Sequence, residues 1–451
     1  MISKRFAQAN HTMLDKFDMN KRLQHLIYLD ANNLYGWSMS QYLPTGKFKW
    51  VNVDSFPIDT FKEWLMSIPE DSKKGYIFEV DLDYPQHLHN LHNCYPLAPE
   101  KMKILKEMLS PFIREKFPEF KDNTEKLVPN LYGKTKYTVH YRNLQLYVDL
   151  GMIVTKVHRV LEFEQKPWLK SYIDLNTELR KNSKNAFEKD YFKLMINAMF
   201  GKTMENVRQR IRVDLVTNRR IFEKQVSKPT FKRGQRITEN LHAVQCHVST
   251  VHLNKPIYCG FTVLELSKHL MYNFHYNHMK VKYPGDQLEL LFTDTDSLAY
   301  VVKTENIYQD MVEDQYLYDF SAYPEDHPLY NNINKKVIGK FKDELNGIPM
   351  EEFVGLRPKC YSLKYKYSRE KKAAAGVKKG VCDKKLRHSH YLQCLQSYQS
   401  MHVVQNNIVS KKHTLKTMNQ TKVGLSALDT KRYLLDDGVN TLARGHYKIA
   451  C

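Results

Sequence analysis

Residues 292–297 read FTDTDS and place two carboxylates, Asp294 and Asp296, one residue apart. The apolar runs LELLF before them and LAYVV after them have the length and composition of β-strands, so we expect a hairpin with both aspartates at its tip. Two hard oxygen ligands near one point suit Mg²⁺, which takes one or two carboxylates and adds substrate phosphates. The same residues are also typical of a plain turn, since Asp and Ser hydrogen-bond their own backbone. An EF-hand calcium loop does not fit, because Leu298 and Ala299 stand where a further ligand and Gly are needed.

A second carboxylate ends another strand-like segment upstream. Residues 25–35 read HLIYLDANNLY, an apolar run that ends on Asp30. If the two strands lie side by side, Asp30 and Asp296 would share two cations about 3.5–4 Å apart, the arrangement used for in-line phosphoryl transfer. Tyr35 would then stand close to an incoming sugar, where its ring would exclude a 2′-hydroxyl by contact. Read singly, Tyr35 is also typical of a core residue, and Asp30 of a strand-end cap.

A helical segment lies between these two strands. Residues 190–201 read DYFKLMINAMFG, contain no Pro, and space Lys193, Asn197 and Gly201 by four residues, which places all three on one helical face. A lysine there can bind a triphosphate as a point charge. Gly201 costs about 1 kcal/mol of helix stability relative to Ala, which indicates close approach of a ligand such as a nascent base pair. The alternative is a helix that ends at Gly201 as its C-cap, with Lys193 merely solvated.

Taken in order, these segments resemble the motifs of family B DNA polymerases. DANNLY is similar to their D-x-x-S-L-Y motif, KLMINAMFG to K-x-x-x-N-S-x-Y-G, and FTDTDS to Y-x-D-T-D-S. Residues 357–361, RPKCY, resemble the K-x-Y motif of the protein-primed members found in phages, adenoviruses, linear plasmids and mobile elements. The gaps between the first three motifs are long enough to hold the two insertions of those enzymes, and the resemblance covers essentially the whole chain.

The resemblance implies a role for each matching residue. Asp30 and Asp296 match the metal-binding aspartates, and Asp294 matches the neighbouring carboxylate of the catalytic set. The expected nucleotide-binding residues are Leu34, Tyr35, Lys193, Asn197, Phe200 and Gly201. The expected DNA- and primer-binding residues are Thr295, Ser297, Lys359, Tyr361, Lys378 and Lys379. The positions that depart from the family pattern, none of them a metal ligand, are Asn33, Gly36, Ala198, Phe200 and Phe292.

The fold implied by the resemblance is an α+β polymerase right hand of palm, fingers and thumb, with two insertions of the protein-primed type. The first insertion would face a terminal priming protein and duplex DNA, and the second would hold the template for processivity. A palm-supporting helix is expected over Phe261–Met279. The expected division is palm 1–74, first insertion 75–145, fingers 146–212, second insertion 213–253, palm 254–358, and thumb with C-terminal region 359–451.

The implied activity is template-directed DNA synthesis, in which dNTPs are added to a primer 3′-hydroxyl by two-metal phosphoryl transfer. The implied cofactors are two Mg²⁺ ions, for which Mn²⁺ can substitute. The implied partners are template–primer DNA, dNTPs and a terminal priming protein. Asp30 lies too near the first residue for a domain of about 50 residues to precede it, so we expect no proofreading exonuclease in this chain.

Two other classes compete with this interpretation. The first is a catalytically inactive, nucleic-acid-binding remnant of a mobile-element or viral polymerase, which the departures from the motifs and the missing exonuclease favour. The second is an RNA-templated polymerase or a nuclease with the same metal chemistry. Thr295 between the aspartates disfavours a reverse transcriptase, in which the two are adjacent. A nuclease would have no use for Lys193 and Asn197 on a helix.

Length and charge agree with a nucleic-acid partner. At 451 residues the chain is longer than a single hydrophobic core usually accommodates, so several subdomains are expected. The formal charge is +20, from 69 basic and 49 acidic residues, which suits a polyanion. Basic residues cluster over 359–387, where they would contact phosphates without reading sequence. A solvated basic hairpin or a localisation signal is the alternative for that stretch.

Cysteine usage and hydropathy indicate the compartment. Seven cysteines without paired spacing argue against a disulfide framework and favour a reducing, intracellular compartment. No apolar run approaches a membrane span and residues 1–20 lack a signal-peptide core, so no membrane partner is expected. His87, His89, His92 and Cys94 cluster, but a strand would divide them between two faces. We interpret these histidines as structural or DNA-facing rather than as zinc ligands.

Overall fold

The protein is described by a computed structural model that covers residues 1–121, 124–411 and 413–449. The strands are β1 (Phe6–Gln8), β2 (His25–Ala31), β3 (Leu43–Val51), β4 (Lys74–Asp83), β5 (Glu100–Lys103), β6 (Glu125–Val128), β7 (Lys134–His140), β8 (Ile153–Lys166), β9 (Arg212–Val216), β10 (Phe231–Thr238), β11 (Leu241–Cys246), β12 (Leu288–Thr293), β13 (Ser297–Val302), β14 (Phe341–Asp343), β15 (Met350–Arg357), β16 (Cys360–Tyr365), β17 (Arg369–Ala374), β18 (Met401–Lys411), β19 (Thr414–Leu425), β20 (Tyr433–Leu434) and β21 (Thr441–Leu442). The helices are α1 (Leu34–Met39), α2 (Ile58–Met66), α3 (His89–His92), α4 (Pro111–Lys116), α5 (Tyr141–Asp149), α6 (Lys170–Lys181), α7 (Ala186–Thr203), α8 (Arg219–Val226), α9 (Ile257–Asn273), α10 (Lys280–Lys282), α11 (Ile307–Glu313), α12 (Lys379–Lys385) and α13 (His388–Ser397).

An antiparallel sheet in the order β12-β13-β2-β14 forms the centre of the molecule. Its middle strands, β2 and β13, are buried almost throughout, which explains their nearly continuous apolar sequences. Alternate side chains point to opposite faces. Leu29 and Tyr300 belong to the core shared with α9, whereas Tyr28 and Phe292 belong to the core shared with a second sheet, β1-β15-β16-β17.

The predicted supporting helix is present beneath the central sheet. It starts at Ile257 as α9 and continues as a π-helical turn over Phe274–Met279. His275 in that turn is fully buried and hydrogen-bonds the Tyr300 hydroxyl of β13 at 3.0 Å. Its other ring nitrogen lies 3.5 Å from the Cys94 thiol. The wide turn therefore brings an imidazole into contact with both the sheet and the neighbouring loop.

A third sheet, β3-β8-β4-β7, packs beside the central one and includes the long strand β8. β4 starts at Lys74 and pairs along its length with β8, which starts at Ile153. The stretch expected as a first insertion, residues 75–145, thus shares a sheet with strands on either side of it in sequence. Beyond β8, helices α6 and α7 form an antiparallel hairpin that contacts α1 and α9.

Residues 212–246 form a small unit of their own. Strands β9, β10 and β11 make a three-stranded sheet in the order β10-β11-β9, and α8 packs on it. The unit has a separate small core, made of Val216, Val244 and Cys246 with Phe222 and Phe231 packed against them. Its first and last residues, Arg212 and Cys246, are paired across β9 and β11, so the chain enters and leaves the unit at one place.

The C-terminal part adds two helices and a long hairpin. α12 and α13 pack on the sheet of β15 and β16, and their core includes Val403 and Leu425 at the base of the β18–β19 hairpin. The expected start of the thumb, residue 359, falls at the turn between β15 and β16. The six-part division of the chain stays a prediction, while the mixture of helices and sheets is the α+β class that the sequence indicated.

The histidine cluster is helical rather than extended. Residues 86–88 form a 3-10 turn and α3 follows, so a strand over this segment is wrong. His92 is fully buried and hydrogen-bonds the Tyr84 hydroxyl at 2.9 Å, and His89 contacts the Tyr84 carbonyl oxygen at 3.3 Å. Both rings thus pack in the interior. Across the described ranges, no helix has the length and apolar character to cross a bilayer.

Candidate active site

The register of two central strands brings Asp30 and Asp296 together. β2 and β13 are antiparallel, with Asp30 paired to Ser297, and the Ala31 amide donates to the Asp296 carbonyl oxygen at 2.7 Å. The hairpin predicted around residues 292–297 is present, since β12 ends at Thr293 and β13 begins at Ser297. The side-by-side strands predicted from the two apolar runs are therefore confirmed.

The turn that carries the two aspartates is tight. Its middle residue, Thr295, has φ 64°, a left-handed conformation that β-branched residues rarely adopt. The Asp294 amide donates to the Ser297 carbonyl at 3.0 Å, and the Asp296 amide donates to the Asp294 carbonyl at 2.8 Å. Ser297 is buried, and its hydroxyl contacts the Asp294 carbonyl at 3.4 Å. Main-chain bonds thus hold Thr295 in place although its conformation is strained.

Burial makes Asp30 and Asp296 difficult to ionise. Desolvation raises the pKa of Asp30 to about 7, against the opposing effect of Lys342, and the charge of Asp296 raises it further. Desolvation also raises the pKa of Asp296, with Asp294 and Glu344 adding to the effect. Two partly desolvated carboxylates that repel each other form an oxygen-donor pair that a divalent cation would stabilise. The donor set therefore fits a magnesium site completed by ligands from a substrate.

Lys342 and Glu344 join this pair, and the sequence interpretation missed both. Lys342 lies on β14 directly opposite Asp30, with its Nζ 3.6 Å from the Asp30 carboxylate and 2.5 Å from that of Glu344. Lys371 pairs with the other Glu344 oxygen at 2.6 Å. The sequence FKDE carries no apolar alternation that could have indicated them, because Asp343 is charged and yet buried like Phe341. Within the described residues, no group of three or more His, Cys, Asp or Glu is suited to hold a metal.

Asp294 does not line the cleft that holds Asp30, and it pairs with Lys359. The Lys359 Nζ lies 2.7 and 3.0 Å from the two Asp294 carboxylate oxygens. Lys359 occupies the turn between β15 and β16 with φ 59°. Tyr361, two residues on, is buried: its ring stacks on Phe292 with centroids 4.4 Å apart, and its hydroxyl lies 3.2 Å from that of Tyr28. The K-x-Y pair therefore presents an exposed cation and supports the hairpin from beneath.

The start of α1 places Tyr35 at the same cleft. Asn33 adopts a left-handed conformation, φ 46°, and its side chain accepts a hydrogen bond from the Gly36 amide at 3.3 Å. A Cβ at position 36 would collide with that side chain, so the two departures from the family motif, Asn33 and Gly36, fit each other. Leu34 is buried in the wall of the cleft. The Tyr35 ring stacks on Phe200 of α7, with centroids 4.4 Å apart and planes 22° apart.

Helix α7 lines the opposite side of the cleft. Lys193 and Asn197 face the cavity, and Phe200 packs on Tyr35. Gly201 is exposed, with open space where a Cβ would stand. The helix continues to Thr203, so the alternative in which Gly201 ends the helix as its C-cap is wrong. Of the three residues predicted to share a helical face, Lys193 and Asn197 therefore line the cleft that holds Asp30 and Asp296, and Gly201 does not.

The resulting cleft has a volume of about 490 Å³. It gathers residues from β2, α1, α6, α7, the DTDS turn and β14. Of the predicted site residues, Phe200, Gly201, Asp294, Ser297, Lys359 and Tyr361 do not line it, and Lys378 and Lys379 start α12, where the Lys378 ammonium donates to the Asn406 carbonyl. The residues that line the cleft are Asp30, Ala31, Asn32, Asn33, Leu34, Tyr35, Arg180, Lys193, Asn197, Thr295, Asp296, Lys342 and Glu344.

Comparison with known proteins gives both a family and a fold. Residues 13–280 match the family described as DNA polymerase type B, organellar and viral. No curated protein matches the sequence. Phi29 DNA polymerase in an orthorhombic crystal form has 14% identity and a TM-score of 0.51, over 94% of this chain and 64% of that chain. Phi29 DNA polymerase complexed with primer-template DNA and incoming nucleotide substrates has 13% identity and a TM-score of 0.49, over 94% and 61%.

The family match and the match to the orthorhombic phi29 structure decide the family and the fold. The chain spans about 64% of the length of the phi29 enzyme and has the same polymerase fold, which confirms the predicted right hand. The two insertions and the role of each site residue stay predictions. The family match covers more than half of the chain and includes Asp30, Tyr35 and Lys193. The chain therefore belongs to the type B DNA polymerases of the organellar and viral kind.

Proposed function

We propose that this chain is a template-directed DNA polymerase that adds dNTPs to the 3′-hydroxyl of a primer. The observation that carries the proposal is the β2–β13 register, which sets Asp30 and Asp296 side by side at the mouth of a cleft. The opposite wall of that cleft presents Lys193 and Asn197. Paired carboxylates facing a cation suit a substrate with a triphosphate group.

Asp30 and Asp296 are the residues that would hold two Mg²⁺ ions, or Mn²⁺ in their place. When bound, such ions lower the pKa of an attacking hydroxyl and neutralise the charge on a leaving pyrophosphate. Lys342 now lies between Asp30 and Glu344 and reduces the repulsion among the carboxylates. We infer that its ammonium turns towards Glu344 when Asp30 binds a cation.

The other residues of the cleft bind and position the nucleotide. Lys193 contributes a positive charge for the triphosphate. Tyr35, held against Phe200, sets an aromatic edge beside the sugar and excludes a 2′-hydroxyl by contact. Gly201 leaves the face of α7 open for a base pair. Lys359 binds the Asp294 carboxylate in this structure. A primer phosphate would replace that carboxylate as the partner of the Lys359 ammonium.

The wider surfaces suggest the path of the DNA and its partners. The unit of residues 212–246 and the basic stretch 359–387 are proposed to contact the template and duplex through phosphates. The region 75–145 is proposed to face a terminal priming protein, which only the family resemblance supports.

Primer extension tests the proposal. Wild-type protein, Asp296→Asn and the matched control Asp59→Asn, an exposed aspartate on α2, are each given a primed DNA template, Mg²⁺ and four dNTPs. We expect extension by the wild type and the control, and a loss of about a thousandfold or more in Asp296→Asn, because the variant loses a charged ligand. Equal extension by all three proteins would show that Asp296 is not part of the catalytic site. No extension by any, from folded and DNA-binding protein, would refute the polymerase proposal and favour a remnant.

A further inference from the structure

A second cavity opens beside the cleft, between the α6–α7 hairpin and the loop that leads to β14. Its volume is about 460 Å³. It shares Asn32, Asn33, Arg180 and Lys342 with the cleft, so the two cavities adjoin. The side chains that line only the second cavity include Thr177, Lys181, Lys189, Asp319, Lys335 and Lys336.

The walls of this cavity are strongly cationic. Six basic side chains line it: Arg180, Lys181, Lys189, Lys335, Lys336 and Lys342. Asp319 is the one carboxylate among the lining residues, and it is buried and already saturated by neutral donors. It accepts from the Asn32 amide group at 2.7 Å, from the Lys336 main-chain amide at 2.8 Å and from the Ser321 amide at 3.0 Å. Lys181 pairs with Glu178 and Lys342 pairs with Glu344, so four further cations face the single negative charge of Asp319.

Several of these groups lack a partner. Among the described residues, Arg180, Lys189, Lys335 and Lys336 form no ion pair with a carboxylate. Within the residues that the structure describes, the Arg180 Nε and the Thr177 hydroxyl are also buried without a hydrogen-bond partner. Buried donors without partners destabilise the folded protein, so a ligand that accepts hydrogen bonds would stabilise this arrangement.

The two walls are held close together despite their like charges. The Lys336 Nζ contacts the Arg180 carbonyl oxygen across the cavity at 3.5 Å, and Lys336 has φ 56°. Burial lowers the pKa of Lys336, and the charges of Lys189, Arg180 and Lys335 lower it further. Cations from two separate segments thus line one cavity, where each makes it less favourable for the others to stay charged.

We propose that this cavity is a second anion site, which binds the pyrophosphate released by nucleotide addition through Arg180, Lys335 and Lys336. The inference rests on the proposed polymerase function, since that reaction supplies the ligand. A polyphosphate carries several negative charges and many acceptor oxygens, which matches cations on both walls. The residues shared with the cleft place the cavity directly beside the aspartates at which pyrophosphate would be released.

The test measures pyrophosphate binding by calorimetry on the full chain with Mg²⁺, without DNA or dNTPs. The variant Lys335→Ala/Lys336→Ala is compared with Lys16→Ala/Lys62→Ala, which removes the same charge from exposed lysines that line neither cavity. We expect the first variant to bind pyrophosphate about tenfold or more weakly, since two charge-assisted contacts are lost. The control should bind as the wild type does, and a dNTP should bind to all three within about twofold.

Each other outcome overturns the inference. Unchanged pyrophosphate affinity in Lys335→Ala/Lys336→Ala would show that these lysines form no pyrophosphate site. Equal losses of dNTP affinity and pyrophosphate affinity would show that the cavity is part of the nucleotide-binding site. Sulfate that competes as well as pyrophosphate would remove the preference for a polyphosphate. Lys335→Gln/Lys336→Gln replaces the variant if thermal melting shows that the alanine form is unfolded. Because binding needs no extension, these results are separate from failure of the polymerase proposal, which the Asp296→Asn comparison decides.

Discussion

At the scale of single residues, Tyr35 has the clearest structural setting. Its ring is half-buried and stacked on Phe200, and α1 and α7 hold the two rings from opposite sides of the cleft. A stacked aromatic pair contributes about 0.5–1.5 kcal/mol beyond area burial. The ring is therefore held in place by packing before any nucleotide arrives.

Replacing Tyr35 by Ala should weaken discrimination against ribonucleotides. Removal of the ring opens space beside the sugar, so we expect the ratio of dNTP to rNTP incorporation to fall about tenfold or more. Tyr35→Phe keeps the ring and is the matched control, in which the ratio should stay close to that of the wild type. Single-nucleotide incorporation kinetics with dCTP and CTP would measure the ratio of dNTP to rNTP incorporation in each protein. An active Tyr35→Ala enzyme with unchanged discrimination would exclude the steric role.

The Lys359–Asp294 pair allows a test that separates stability from function. The side chains are 65% and 27% exposed, and ion pairs so exposed contribute less than about 1 kcal/mol to stability. Lys359→Met should therefore lower the free energy of unfolding by less than that amount. We expect it to weaken binding of primed DNA about fivefold, because a phosphate contact is lost.

The control for that experiment comes from outside the proposed DNA-contact regions. Lys47 pairs with Glu164 at 2.7 Å, has an exposed fraction of 77% and, like Lys359, adopts a positive φ, 53°, so Lys47→Met removes a comparable pair away from the turn. Its affinity for primed DNA should stay within about twofold of the wild type, and Lys359→Arg should restore binding. Equal effects of the two methionine variants on fluorescence-anisotropy titrations would show that Lys359 has no special role.

At the scale of elements, the strands and helices of the site could be predicted because their local patterns are strong. β2, β12 and β13 are short apolar runs that end at polar turn residues, and α7 contains no Pro. β14 could not be predicted, since its three residues, Phe341–Asp343, include two charges and form a strand only by pairing with β2. Arg180 was missed for the same reason: nothing local to the end of α6 indicates which cavity it lines. Tertiary pairing decides both.

The unit of residues 212–246 should be removable without unfolding the rest. Its core is separate, and Arg212 and Cys246 are register partners, so their Cα atoms are about 5 Å apart and a short linker can replace residues 213–245. We expect the shortened protein to melt cooperatively and to add a single nucleotide at the normal rate. The product made per binding event should shorten several-fold, since phosphate contacts to the template are lost.

Extension in the presence of a DNA trap measures this product length. The control protein keeps the unit and carries a Gly-Ser insertion between β10 and β11, which lengthens the chain without removing contacts. Unchanged product length in the shortened protein would refute the role of this unit in holding the template.

At the scale of the whole molecule, buried histidines set the sensitivity to acid. Burial lowers the pKa of His92 to about 3 and lowers the pKa of His140 and His275 well below the usual value. These rings stay neutral in the folded state, whereas the unfolded chain takes up protons below about pH 6.5. The free energy of unfolding therefore falls as pH decreases through that value, by up to about 1.4 kcal/mol per histidine and pH unit.

His140 offers a clean test of this effect. Both of its ring nitrogens are buried without a hydrogen-bond partner, so His140→Leu loses no hydrogen bond and gains a side chain that does not titrate. As the pH falls from about 7.5 to about 5, the free energy of unfolding of the variant should rise by about 2 kcal/mol relative to that of the wild type. Urea unfolding at the two pH values measures it. The exposed His87→Leu should show no such gain, and an equal gain there would contradict the burial argument.

The register between β2 and β13 also has a consequence for how this protein is made. Asp30 emerges from the ribosome long before Asp296, and neither strand of the pair can complete the central sheet alone. Such a long-range pairing is slow to form, because a long loop must close before any contact stabilises it. A nascent chain that has already formed α6, α7 and the 212–246 unit still has no pair of aspartates. The proposed site is thus completed in one late step of folding, when the hairpin of β12 and β13 docks against a strand synthesised long before.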